Sequence, residues 1–141
     1  MKILKMIGYW QDSEEVGDYP HPRDLVDPTW EAESRQKIVE YLRSGKRFRG
    51  SWGYSKCRFD DGRPDCEMGS MELTDGVYAW PEGLAVYVEH YYVILPQDFV
   101  AHMKAQYFKI PMSFQSEQMR VDLSYWKEWG KQYLASKKAG R

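Results

Sequence analysis

A chain of 141 residues falls at the usual size of one domain and closes a hydrophobic core without disulfides. Its formal net charge of -1 supplies no sustained positive field for nonspecific attachment to nucleic acid or an anionic membrane, and no apolar run approaches the roughly 18 residues of a membrane span. With 16% aromatic residues against 43% hydrophobic, much of the core must be Trp, Tyr and Phe.

The opening MKILKMIGYWQDSEE has too short an apolar core for a signal peptide, so a cytoplasmic location is the expectation. In that reducing setting Cys57 and Cys66 are expected as thiols. Ile3, Leu4, Met6 and Ile7 make an edge strand or a segment packed under the domain. From Gln11 to Asp27 the chain is acidic and broken by Gly17, Pro20 and Pro22, so residues 1–27 read as an irregular arm.

Asp27-Pro28 is a helix start, and Trp30, Ser34, Ile38, Tyr41 and Leu42 share one helical face; the spacing predicts a helix over 28–44, stopped by Ser44-Gly45. Residues 46–59 alternate as a strand, with Phe48, Trp52 and Tyr54 on one side and Arg47, Arg49 and Ser51 on the other. Cations interleaved with aromatic rings also suit single-stranded nucleic acid, but a strand with a solvated basic face accounts for them with less net positive charge. Asp60 to Pro64 is a turn, Ser70–Thr74 a strand, Asp75-Gly76 a tight turn, and Val77–Trp80 a third strand of an antiparallel meander.

Pro81-Glu82-Gly83 opens a helix to about residue 91, followed by extended Val93–Leu95. Pro96 starts another helix whose stripe is Phe99, Val100, Met103 and Tyr107. Lys109–Met119 is a loop, and Asp122 begins a last helix with Trp126, Trp129, Tyr133 and Leu134 on one side. Gly130 weakens it by roughly 1 kcal/mol relative to Ala. The tail 137–141 is expected to fray. The sum is one α+β domain over 1–141: an antiparallel sheet of three or four strands covered by three or four helices.

The segments DPTW, YLRSG and Cys57-Arg58-Phe59, and above all ELTDGVYAWPEGLA followed by LP and Phe99-Val100, resemble a group of small bacterial proteins with a TDG-x-Y-x-WPEGL core. The resemblance covers roughly residues 25 to 103. It implies a shared fold and a candidate surface rather than an activity. That pattern carries a second cysteine close after the first and histidines near Val86 and Tyr91, where this chain has Asp60, Asp61, Cys66 and His90.

Zinc prefers thiolate and imidazole, which makes Cys57, Cys66 and His90 the weak metal candidates; their C-x8-C spacing is not that of a zinc site, so no metal or other cofactor is assigned. Neither a nucleophile elbow, nor a phosphate-cradling Gly-rich loop, nor H-E-x-x-H is present, so no catalytic residue is named. Charge runs in blocks: 11–33 acidic, 34–58 basic, 59–99 acidic, 100–141 basic. An acidic face holding Asp60, Asp61, Asp65, Glu67, Glu72, Asp75 and Glu82 beside Tyr78 and Trp80 suits docking to a basic protein. The leading expectation is therefore a protein-interaction module, in its sharpest form an immunity- or antitoxin-like inhibitor. The alternative is an enzyme or ligand-binding domain with a pocket around Arg58, Asp75, Trp80 and Glu82, where Arg58 holds an anion and Trp80 stacks on a ring.

Overall fold

In a computed structural model, which describes residues 2–10, 19–50, 53–111 and 119–139, the first apolar segment is no edge. Lys2–Met6 forms β1, and it lies between two parallel neighbours in a five-stranded sheet. The remaining strands are β2 (Lys46–Gly50), β3 (Met71–Thr74), β4 (Tyr78–Pro81) and β5 (Met119–Asp122), in the order β2-β3-β4-β1-β5. The antiparallel meander β2-β3-β4 exists as read from the turns. The wholly antiparallel sheet of three or four strands is corrected to a mixed sheet of five. The reason is that β1 pairs in parallel with β4, Lys5 opposite Tyr78, and with β5, Leu4 opposite Val121. These pairings join chain segments more than 70 residues apart, and no local alternation encodes their direction.

Among the described residues four α-helices complete the α+β fold: α1 (Ala32–Arg43), α2 (Leu84–Tyr91), α3 (Gln97–Ala105) and α4 (Ser124–Ala139). The first starts four residues after Pro28. Asp27 does not cap it; its carboxylate instead accepts from the Thr29 N–H at 3.0 Å, a tight Asx turn, and its own N–H donates to the Tyr92 carbonyl. Tyr92, left-handed at φ 57°, ends α2, and Val93 then bridges antiparallel to Val26. Tyr107 lies beyond α3 and is 85% exposed rather than part of its stripe. The Gly130 position is explained by Pro20, whose ring would stand 3.2 Å from any Cβ there. Ser51, Trp52, most of the 109–119 loop, the acidic stretch 11–18 and residues 140–141 lie outside the described residues.

The main core lies on the sheet face that carries Tyr78 and Trp80, with Ile38, Tyr41 and Leu42 from α1, Leu84, Tyr87 and Val88 from α2, Phe99 and Met103 from α3, and Trp126 from α4. The opposite face of β1 and β4 carries Leu4, Met6 and Ala79, with Phe48, Val121 and Leu123 around them. Tyr78, Ala79 and Trp80 are consequently all buried, as in a strand covered on both faces. Trp80 is further fixed by its indole N–H, which donates to the Leu42 carbonyl at 3.0 Å. Among the described residues no helix is long and apolar enough to cross a membrane.

Candidate functional site at the carboxyl ends of two parallel strands

β1 and β4 run side by side and end together, β1 leading into Gly8-Tyr9-Trp10 and β4 into Pro81. Gly8 turns the chain at φ +89°, and a Cβ there would meet the Pro81 ring at 3.2 Å and Leu84 at 3.3 Å. Only glycine satisfies both the left-handed backbone and the close approach. Past it, the chain helps line a cleft of about 280 Å³ with Ser55, Arg58, Ser70, Met71 and Glu72. Open sheets with parallel strands characteristically hold ligands beyond the carboxyl ends of those strands.

Several groups around the cleft have a defined support. The Arg58 segment is clamped from below by Tyr87 of α2, whose hydroxyl accepts from the Arg58 N–H at 3.0 Å and donates to the Lys56 carbonyl at 3.5 Å. Burial pushes the Tyr87 phenol up, an effect partly offset by hydrogen bonding from Arg58. Ser55 is held by its N–H, which donates to the Gly69 carbonyl at 2.9 Å. Trp10 stands edge-on to Tyr87 and to Trp126, with centroids 5.4 and 5.5 Å apart. Glu72 is already matched: Arg49 ion-pairs with it and the Tyr9 hydroxyl donates to it at 2.9 Å. Burial first, and then that bond to Glu72, raises the Tyr9 phenol. With Glu72 compensated by Arg49, the Arg58 guanidinium carries the remaining charge among the lining residues.

The structure divides the residues expected at a site. Arg58 lines the cleft. Trp80, fully buried, has no face open to a ligand. Tyr78 is buried against Phe99, with ring centroids 4.5 Å apart. Asp75 is 2% exposed: its Oδ1 accepts from the N–H groups of Val77 at 2.9 Å and Tyr78 at 2.8 Å, and its Oδ2 from the Tyr41 hydroxyl at 2.5 Å. His102 Nε2 also stands 3.1 Å from that Oδ2, without the alignment of a hydrogen bond. Glu82 is spent on backbone, accepting from the Met71 N–H at 2.9 Å. The pocket expected around Arg58, Asp75, Trp80 and Glu82 is thus corrected to one around Arg58 alone of the four, because β4 is covered on both faces. For the same reason Asp75, Tyr78 and Trp80 are removed from the expected acidic docking face.

Asp61 and Asp65 are exposed, in a loop some distance along the chain. The Tyr91 hydroxyl donates to Asp61, and Arg63 Nε donates to that same hydroxyl at 2.9 Å. The bond from Tyr91 holds the Asp61 carboxyl below its usual range, while burial pushes the Tyr91 phenol up to about 12. Cys57 is buried with its Sγ 3.6 Å from the Tyr91 hydroxyl, Cys66 is exposed, and both are free thiols. His90 Nε2 faces Glu89 at 2.9 Å. Among the described residues no three His, Cys, Asp or Glu side chains converge as metal ligands.

Sequence reasoning missed Tyr9, Trp10, Ser55 and Ser70, which come from three separated segments, and placed Glu72 on the acidic docking face rather than in a cleft. The available signal was Gly8 at the end of an apolar run, followed by two aromatics, the pattern of a strand that ends in a close turn. Comparison with protein-family models, with curated proteins and with solved structures finds no match to this chain.

Proposed function

We propose that the protein binds a compact anionic ligand in the cleft beyond β1 and β4. The observation that carries this reading is the position of Arg58. Arg58, whose backbone N–H is held by the buried Tyr87 hydroxyl and whose guanidinium donates to the Lys56 carbonyl at 3.3 Å, lines a cleft whose one carboxylate is already matched by Arg49. Guanidinium groups recognise carboxylates and phosphates through paired donors, and the Ser55 and Ser70 segments bring further polar groups to the same cleft. A volume of about 280 Å³ suits a small organic acid or a phosphate ester rather than a dinucleotide.

The test is a series of backbone-amide NMR titrations with inorganic phosphate, acetate and citrate. The expected result is saturable shifts at Gly8, Ser55, Ser70 and Met71 for at least one anion, lost in Arg58→Gln with the remaining spectrum unchanged. Flat titrations with all three anions would end the reading.

A second reading keeps the protein-interaction module, an immunity- or antitoxin-like inhibitor of a basic protein. It is favoured by the exposed residues Asp60, Asp61 and Asp65, on the loop and the 3-10 turn that follows it, beside Glu67, which pairs with Arg63 at 2.6 Å. Charge reversal at Asp61 and Asp65 then weakens a co-purifying partner and flattens its salt dependence; undiminished co-purification counts against it. On the TDG-x-Y-x-WPEGL motif we also propose that the chain belongs with the bacterial group that it resembles and, on the short apolar core of MKILKMIGYWQDSEE, that it is cytoplasmic.

A further inference from the structure

The segment that brings Arg58 to the cleft also carries an aromatic ring beside it. Exposure alternates along this segment: Tyr54 and Lys56 are exposed, Ser55 is half-buried and Cys57 is buried. Alternation of this kind places Tyr54 and Lys56 together on the outer side of an extended chain. The Arg58 guanidinium joins them, because its Nη1 donates to the Lys56 carbonyl at 3.3 Å and the side chain therefore folds back in the direction of Tyr54. Underneath, the backbone is tied at Ser55 to the Gly69 carbonyl, and at Lys56 and Arg58 to the Tyr87 hydroxyl, so the three side chains start from a fixed base.

None of the three is spent inside the molecule in the way that Arg49 is spent on Glu72. Tyr54 is 61% exposed, and among the described residues no ring stacks on it and no cation stands over it. Room is open next to it, since a Cβ built at Gly53 would meet nothing within 4 Å. Among the described residues neither Lys56 nor Arg58 forms an ion pair. Two uncompensated cations and an open ring thus share one side of a segment whose Ser55 and Arg58 line the cleft.

We propose that the anion bound at this cleft is the phosphate of a nucleoside monophosphate, held by Arg58 and Lys56, with its base stacked on Tyr54. This rests on the reading that the cleft takes an anion, and names the ligand. A phosphate monoester carries roughly -1.5 to -2 charges near neutral pH, which two cations match and a single carboxylate does not. Every base offers a flat face to a tyrosine ring, and a ring whose backbone is already fixed loses little freedom on stacking. The cleft of about 280 Å³ holds the sugar phosphate and leaves the base outside, over the ring. A longer strand is disfavoured, because the exposed Asp60, Asp61 and Asp65 follow directly on Arg58 and repel further phosphates.

The experiment follows the Tyr54 ring signals, assigned through Tyr54→Ala, and the Ser55 and Ser70 amides by NMR while adenosine 5′-monophosphate is added. Ribose 5-phosphate supplies the phosphate without a base, and adenosine the base without a phosphate. The monophosphate is expected to move both sets of signals saturably and to bind about tenfold more tightly than ribose 5-phosphate. Tyr54→Ala should remove that preference and leave ribose 5-phosphate binding unchanged, Tyr54→Trp should keep the preference, and Lys56→Gln should weaken both phosphates. Equal affinity for the two phosphates, or a preference that survives Tyr54→Ala, would overturn the nucleotide proposal while the anion cleft stands. Binding of neither phosphate would overturn both. Tighter binding of a single-stranded adenosine tetranucleotide than of the monophosphate would overturn the proposal in favour of nucleic acid.

Discussion

The Tyr41 hydroxyl on α1 donates to Asp75 Oδ2 at 2.5 Å inside the core, tying the first helix to the turn between β3 and β4. Burial, and then the bond to Asp75, raise the Tyr41 phenol above its ordinary value. Tyr41→Phe removes one donor from a buried carboxylate and should cost about 1–3 kcal/mol in urea unfolding. Asp75→Ala should cost more, because it also strips the acceptor from two backbone N–H groups of the turn. A Tyr41→Phe protein as stable as the parent would show that the bond contributes nothing net.

Gly45 is set by contact rather than by backbone angle. A Cβ there would stand 2.6 Å from the Trp80 ring and 2.9 Å from Leu73 Cβ, both in the buried core. Gly45→Ala should therefore destabilise the fold by about 1–3 kcal/mol through overpacking, read as a lower urea midpoint with an unchanged slope. Gly53 has open space around it and serves as the control, with Gly53→Ala near neutral.

Glu82 separates a structural role from a binding one. Its carboxylate accepts from the Met71 N–H, and it packs so closely on Gly69 that a Cβ there would stand 2.7 Å from it. Glu82→Ala should lower stability by roughly 1 kcal/mol. Glu82→Gln, which keeps the acceptor, should recover most of this, and neither change should alter anion shifts in the cleft beyond the lost stability. A selective loss of anion binding in Glu82→Gln would return this residue to the site.

Alkaline pH should unfold the protein steeply. Burial, as the largest cause in each case, raises the phenols of Tyr9, Tyr41, Tyr78, Tyr87 and Tyr125, and pushes Tyr91 up to about 12. A raised folded value means that the folded state holds the proton longer than the unfolded one. The contribution is complete below the free-tyrosine value near 10 and is lost as pH rises beyond it. Phenolate absorbance should lag behind that of free tyrosine above pH 10 and then rise together with loss of the circular dichroism signal. Titration of all tyrosines near 10 in a folded protein would contradict the burial.

The two thiols should differ sharply. Cys66 is exposed and Cys57 is 4% exposed beneath Tyr91. One equivalent of a thiol-specific disulfide reagent should react at once, and the second only at the rate of opening or unfolding. Cys66→Ser should abolish the fast phase; fast reaction of both would place Cys57 at the surface.

What could be read in advance depended on the range of the signal. The β2-β3-β4 meander follows from Asp75-Gly76 and from alternation over a few residues, and α2 and α3 from Gly83 and Pro96 at their starts. β5 is four residues long and has no partner nearby in sequence, so its residues were divided between a loop ending at Met119 and a helix beginning at Asp122. The direction of β1 was equally hidden, since parallel pairing with β4 is a property of the assembled sheet. At the site, Arg58 was recognisable as a cation beside aromatics. Asp75, Tyr78 and Trp80 were mistaken for surface because turn residues flank them and both covers of β4 come from distant segments. Tyr9 and Glu72 meet across 63 positions, which no motif spans.

The place of β1 in the sheet has a consequence for synthesis. β1 is made before both of its neighbours, β4 and β5, which begin at residues 78 and 119. Met6 must therefore wait for Ala79, and Leu4 for Val121, before the partner in the sheet exists. Such high contact order makes folding slow relative to a local meander and leaves an apolar strand edge open to other nascent copies meanwhile. The chain should thus depend on chaperone holding early in translation, and a version permuted to begin at β2 and carry β1 after α4 should refold faster with less aggregation.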